Sequence, residues 1–299
     1  MTRWEGKSRG GVSGHKFFVF IIKHFGVSFA YFFLSIVAVY FLFSSKRTFS
    51  AIFFYFNKIH KNSKLKSFFM VYRNYCMLGK MLVDKVAMLT GADKKYICDF
   101  EDDYQIRKLI EGNTGGIIIN AHVGNWEIAG QLLERFETKV NILMFDAEHE
   151  KVKQYMSDVL TNKNVNFIII KEGYDHLAKI EKALLNRELI AMNGDRFMSG
   201  NRTMSCGFLG MNAEFPVSPY YMAGKYKVPV LYAFAMKESK KYYRIYATEK
   251  HYVEGFESMN TRDKCLAEAL RDYVSVLENM VKKYPLQWFN YYNFWNQTL

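Results

Sequence analysis

An α/β fold, with a mostly parallel central sheet flanked by helices and an N-terminal membrane-anchoring helical region, is predicted by three features of this 299-residue chain. From residue 117 onward, short apolar runs alternate with segments whose apolar residues recur at helical spacing, the rhythm of strand–helix units. Near the N-terminus, Phe25 to Ser44 carries no charged residue, and about 20 apolar residues suffice to cross a bilayer core. Between these regions, Ile117-Ile118-Ile119 runs into Asn120-Ala121-His122-Val123-Gly124-Asn125-Trp126-Glu127. That is a short buried strand ending at a titratable ring. Ile128, Leu132, Leu133 and Phe136 then continue at helical spacing, so strand, turn and helix meet near His122.

In order along the chain, Met1 to Lys16 is basic and glycine-rich. Lys7, Arg9, Lys16 and Lys23 precede the apolar run and Lys46 and Arg47 follow it. Positive flanks on both sides leave open whether this segment spans a membrane or lies along it. Residues 1–47 are assigned as the anchor and 48–299 as one large α/β domain, a length that buries a full core. No small-residue cleavage site follows the apolar run, so an uncleaved anchor fits better than a signal peptide. Thr48 to Gly91 keeps a helical pattern without proline. Lys58, Lys61, Lys64 and Lys66 there alternate with Phe53, Phe54, Phe56, Phe68 and Phe69, a pattern suited to an anionic lipid surface.

Strands are then expected over Val140–Phe145, Asn166–Ile170 and Leu189–Met192, and helices over Glu150–Leu160, Tyr174–Leu185 and Val217–Tyr226. Val228-Pro229-Val230-Leu231 opens a further strand and Tyr242–Ala247 forms another. An amphipathic helix over Arg262–Lys283 places Leu266, Leu270, Tyr273, Val274, Leu277 and Val281 on one face, and Pro285 stops it. In such sheets chemistry collects at the carboxyl ends of the strands. Both His122 and Asp195 follow apolar runs directly.

The formal charge is +12, so an anionic partner is expected. Aromatic residues make up 17% of the chain, with 26 Phe and 21 Tyr. That content favours a lipid surface over nucleic acid, which is not expected to bind. Cys76, Cys98, Cys206 and Cys265 form no Cys-x-x-Cys pair and have no histidine at zinc-ligand spacing; they read as reduced and structural. Asp146, Glu148, His149 and Glu150 share no period that would converge them, so no metal site is assigned. No Gly-x-Ser-x-Gly nucleophile elbow occurs.

Five positions separate His122 from Glu127, which on one ideal helix would stand about 140° apart. With His122 in the turn and Glu127 in the first helical turn, the carboxylate reaches back to the ring and fixes one tautomer. Gly124 gives the turn its backbone freedom.

The block Asn-Ala-His-x-Gly-Asn-Trp-Glu, built on His-x4-Glu, resembles the catalytic block of the lysophospholipid acyltransferase superfamily, in its bacterial lipid A late-acyltransferase branch. Asn193-Gly194-Asp195-Arg196-Phe197 resembles the second, substrate-binding block. Gly207-Phe208-Leu209-Gly210 with Phe215-Pro216 looks like the Phe-Phe-Gly loop and the pocket segment after it, with Leu209 in an aromatic's place. Pro285-Leu286-Gln287-Trp288-Phe289 resembles the Pro-x-Gln-Trp tail.

The resemblance implies a membrane-bound O-acyltransferase. His122 and Glu127 would be its catalytic base and orienting carboxylate, and Asn120, Gly124, Asn125, Asp195 and Arg196 would bind substrate. Arg196 suits a phosphate, whose oxygens a guanidinium holds bidentately. The implied donor is acyl carrier protein or acyl-coenzyme A and the acceptor a lipid A precursor or related glycolipid, with no cofactor. The implied location is the bacterial inner membrane, active site on the cytoplasmic side. A non-catalytic lipid-binding protein and a thioesterase or lipid hydrolase are the alternatives.

Overall fold

The computed structural model describes residues 12–89, 91, 96–99, 103–125, 138–145, 164–170, 175–198 and 200–295. Helix α1 (Val12–Ser44) is broken at Gly26, whose φ of 78° is left-handed. It is followed by α2 (Lys46–Phe54), a π-helical turn over Tyr55–Ile59, and α3 (Lys64–Leu89). Val27, Ala30, Leu34, Ala38 and Leu42 recur every three or four residues and are buried, and α1 packs along α3 on this stripe. Gly79 of α3 admits Leu34, since a Cβ there would lie 1.8 Å from Leu34 Cδ2. Ala38 and Leu42 of α1 belong to the same core as Ile117 and Trp288.

Strand β1 (Ile97–Asp99), helix α4 (Asp103–Glu111), β2 (Gly116–Asn120), β3 (Val140–Phe145) and β4 (Val165–Ile170) follow, then α5 (Asp175–Leu185) and β5 (Leu189–Asn193). The chain continues through the hairpin β6 (Thr203–Phe208) and β7 (Met211–Pro216), helix α6 (Ser218–Tyr226), strands β8 (Val230–Lys237) and β9 (Tyr242–Ala247), and helix α7 (Met259–Lys283). Among the described residues, seven strands form one sheet in the order β1-β9-β8-β2-β5-β3-β4. All neighbouring pairs are parallel except β8 and β9, as the expected mostly parallel sheet requires.

Successive side chains of a strand point to opposite faces, and here they feed two cores. Ile117 and Ile119 of β2, with Val230, Tyr232, Phe234 and Met236 of β8, enter the core shared with α7 and the C-terminal tail. Ile118, Leu231, Ala233 and Ala235 enter the second core, beneath Ile106 and Leu109 of α4. Burial on both faces explains why these strands read as unbroken apolar runs.

Strand β8 begins at Val230 and α7 at Met259, small shifts from expectation. β1 and the β6–β7 hairpin were not anticipated. The hairpin turns at Leu209 and Gly210, both with positive φ (53° and 83°), the two-residue geometry that matches strand twist. A single leucine and two flanking glycines conceal that turn in the sequence. The helices expected after Trp126 and over Glu150–Leu160 lie outside the described residues, as does the Asp146–Glu150 cluster.

A buried charged cluster fastens α1 and α3 to the sheet. Lys237 Nζ of β8 lies 2.5 Å from Asp84 Oδ2 of α3, both side chains almost wholly buried. Tyr31 of α1, Tyr243 of β9 and Tyr96 all donate hydroxyl hydrogen bonds to the same carboxylate. Burial pulls the Lys237 ammonium pKa below its ordinary value, and Asp84 opposes that pull.

Candidate active site

Strands β2 and β5 pair in parallel with Asn120 opposite Asn193. Each then passes through one small residue to a functional one, as Asn120-Ala121-His122 and Asn193-Gly194-Asp195. Equal offsets from a shared rung bring His122 and Asp195 together at the carboxyl ends of neighbouring central strands. Asp195 holds His122 twice: Oδ1 lies 2.7 Å from Nδ1, and Oδ2 accepts the His122 backbone N–H at 2.9 Å. His122 is 7% exposed and Asp195 is fully buried.

Burial alone would raise the Asp195 carboxyl pKa. The charge of His122, its hydrogen bonds and the Arg196 guanidinium outweigh burial and hold the carboxyl below its ordinary range. An ionised carboxylate on Nδ1 fixes the proton there and puts the basic lone pair of the ring on Nε2. Nε2 has Asn193 Nδ2 3.4 Å away. The side-chain oxygens of Asn120 and Asn193 are buried with no partner among the described residues. Such acceptors are rarely left unsatisfied in a finished structure, and here they sit at the strand ends that carry the base.

The turn after His122 is held from two sides. Gly124 (φ 65°) donates its N–H to the Gln287 carbonyl at 2.9 Å, and Asn125 N–H donates to the Ala235 carbonyl at 2.8 Å. Asn125 Nδ2 reaches the Met81 carbonyl at 3.1 Å, so Gly124 and Asn125 tie the turn to β8, the tail and α3. Neither of those two backbone N–H groups is placed to hold an oxyanion. A Cβ at Gly124 would lie 2.2 Å from the Ala235 oxygen. Gly124→Ala therefore combines left-handed strain with overpacking and should destabilise the protein by about 2–5 kcal/mol, read as a lowered urea midpoint.

The Pro285–Phe289 tail encloses the site. Gln287 accepts the Lys237 N–H at 3.0 Å and donates to the Lys237 carbonyl at 2.7 Å. Trp288 is buried against Tyr55, Phe208, Phe294 and Trp295. Phe289 N–H donates to the His122 carbonyl at 2.8 Å. Arg196 Nη2 donates to the Phe289 carbonyl at 2.9 Å, and the Tyr292 hydroxyl donates to the Asp195 carbonyl at 3.3 Å. Burial lowers the Arg196 pKa, with Asp195 opposing. Leu209, in an aromatic's place in the expected loop, turns the hairpin, and its N–H donates to Glu278 Oε2 at 2.7 Å.

Of the residues singled out by the sequence, His122, Asp195, Asn120 and Arg196 thus converge, and Gly124 and Asn125 support them. Glu127 lies outside the described residues. Asn193, Tyr273, whose hydroxyl donates to the Asn120 carbonyl at 2.9 Å, and the backbone of Phe289 were missed. The shared Asn-small-x ending of the two strands was the signal for Asn193; nothing local marks the other two. No group of three His, Cys, Asp or Glu side chains able to hold a metal ion occurs among the described residues.

The family model for bacterial lipid A biosynthesis acyltransferases matches residues 11–297. No curated protein matches the chain closely enough to count as a relative.

Proposed function

Because the chain belongs to the bacterial lipid A biosynthesis acyltransferase family and is thereby an acyltransferase, we propose that it moves a fatty acyl group from a thioester of acyl carrier protein or coenzyme A to a hydroxyl of a lipid A precursor or related glycolipid. The observation that carries this reading is the buried, ionised Asp195 on His122 Nδ1, which leaves Nε2 as a base of fixed tautomer at the carboxyl ends of the central strands. The acceptor hydroxyl gives its proton to Nε2 as its oxygen attacks the thioester carbonyl. The tetrahedral intermediate collapses, the carbon–sulfur bond breaks, and the imidazolium returns the proton to the departing thiolate. No acyl-enzyme forms. General-base assistance of this kind contributes about 10²–10⁴-fold.

Asp195 orients the ring and stabilises the imidazolium, the part expected of Glu127. Glu127 adds a second carboxylate five positions after His122 in the chain. Arg196, beside Asp195, supplies the positive charge that an acceptor phosphate or a developing oxyanion meets. The unsatisfied oxygens of Asn120 and Asn193 take N–H or O–H groups of the acceptor's sugar.

The enzyme works at a bacterial inner membrane with its site on the cytoplasmic side, where acyl thioesters are made. Support for attachment comes from Phe17–Ser44, one helix long and apolar enough to cross a membrane. The test is mass spectrometry of acceptor lipid incubated with the full chain and each acyl thioester. The expected product is heavier by one acyl residue. Free fatty acid with unchanged lipid would make the protein a thioesterase, and donor consumption by neither route would make it a binding protein; either overturns the proposal.

A further inference from the structure

From Phe25 to Ser44 α1 carries no charged side chain, yet only one side of it is covered. Phe25, Phe29, Phe32, Ile36, Tyr40 and Phe43 recur every three or four residues along the opposite side and are exposed, Phe32 by 63% and Phe43 by 70%. A continuous aromatic stripe left in water marks a surface meant for another phase. Lys46 and Arg47 at its end, and Lys58, Lys61, Lys64 and Lys66 in the segment that follows, are exposed as well. That basic rim complements anionic headgroups and identifies the covering phase as a phospholipid surface.

Gly26 breaks α1, and the Phe17 and Phe33 rings meet at 5.3 Å, so the arm before Gly26 folds back beside the arm after it and Tyr31 lies close to the turn. Here Tyr31 donates to the buried Asp84 that pairs with Lys237, and Lys80 Nζ stands 5.7 Å over its ring. One turn earlier, Ser28 Oγ accepts from Lys240 Nζ at 2.6 Å. Standing α1 upright with its Gly26 turn deep in the bilayer would drag these charges and the edge of the sheet into hydrocarbon, where ionisable groups are costly.

We propose that α1 is an in-plane element: its Phe25–Phe43 stripe is sunk into one leaflet, its other side stays on α3, and both ends of the helix lie on the same side of the membrane. This rests on the membrane attachment proposed above and goes further by fixing the topology. On its buried side α1 contributes Ala38 and Leu42 to the core that holds Trp288, so the site is held close against the leaflet that carries its lipid acceptor.

Two experiments on the full chain test it. With a site-specific protease sequence and tag at each terminus, sealed vesicles from expressing cells are prepared in both orientations. Both tags should be cut in vesicles exposing the cytoplasmic face and both protected in the opposite ones. Cleavage of the two tags from opposite faces means a crossing helix and overturns the proposal. Recovery in the soluble fraction counts against membrane attachment itself, a different failure that also removes the proposal.

In the second experiment, Phe29→Ser, Phe32→Ser and Ile36→Ser are combined and the protein is floated with vesicles of phosphatidylethanolamine and phosphatidylglycerol. Partitioning should fall by about tenfold or more at an unchanged melting temperature. Phe43→Ser, at the most exposed position, gives a smaller loss in the same direction should the triple variant not fold. Unchanged flotation of the folded variants overturns the assignment, as does loss of self-association with flotation retained, which would give the stripe to a second copy of the chain.

Discussion

Replacing His122 with Ala should lower turnover by about 10²–10⁴-fold while the melting temperature and membrane attachment stay close to wild type. Asp195→Asn should approach the same loss, because an amide that presents N–H to Nδ1 favours the wrong tautomer and no longer supports the imidazolium. The two residues act as one unit through a 2.7 Å contact, so the double variant should be little worse than His122→Ala alone. Multiplying losses would show that Asp195 works independently of the ring. Glu127→Gln separates the two carboxylates: if Asp195 sets the tautomer, Glu127→Gln should cost less than Asp195→Asn under saturating substrate. The reverse order would return the orienting role to Glu127.

Asp195 also carries a stability signature. Its pKa in the folded protein lies below the ordinary carboxylate value, so it stabilises the fold above its unfolded pKa, about 4. That contribution is lost as pH falls through the lowered folded value. Wild type and Asp195→Asn should therefore converge in stability toward strong acid and diverge near neutral pH.

How much of this arrangement could be read in advance depended on whether a relation was local in the chain. The strand at Ile117–Ile119 and the turn at Gly124 were legible, because apolar runs, glycine and the histidine lie within a few residues. The pairing of His122 with Asp195 was not, since it is created by the register of β2 against β5 across a crossover of some seventy residues. Glu127, only five positions away, was the partner a local pattern could offer. The clue was nonetheless present: both strands end in asparagine, one small residue, then a titratable group. For the tail, Gln287 and Trp288 stood out by resemblance. Their task, clamping Lys237 and backing the His122 turn, depends on contacts with β8 and with Tyr55 of the π-helical turn that no sequence period encodes. Helix α1 shows the same limit differently. A segment apolar on every side has no phase, so its half-burial against α3 follows from Gly79, Tyr31 and the charges behind them.

Those charges carry the largest stability effect expected outside the active site. Asp84→Ala removes one partner of a buried ion pair and leaves Lys237, together with the Tyr31, Tyr96 and Tyr243 hydroxyls, without the carboxylate they share. Breaking a buried pair in this way costs about 3–5 kcal/mol, enough to bring a domain of ordinary stability close to its threshold. The signature that distinguishes this from simple loss of packing is its dependence on pH. Burial already lowers the Lys237 pKa, and without Asp84 the value falls further, so the folded variant sheds a proton that the unfolded chain keeps. Stability of Asp84→Ala should then rise with pH between the folded and the unfolded lysine pKa, because the unfolded state binds more protons. Urea melts of wild type and variant across that range measure the difference. Lys237→Met combined with Asp84→Leu, which replaces the pair with apolar groups, should recover part of the loss. A loss in Asp84→Ala that ignores pH, or a double variant weaker than the single one, would mean that the tyrosine hydroxyls rather than the ion pair fasten α1 and α3 to the sheet.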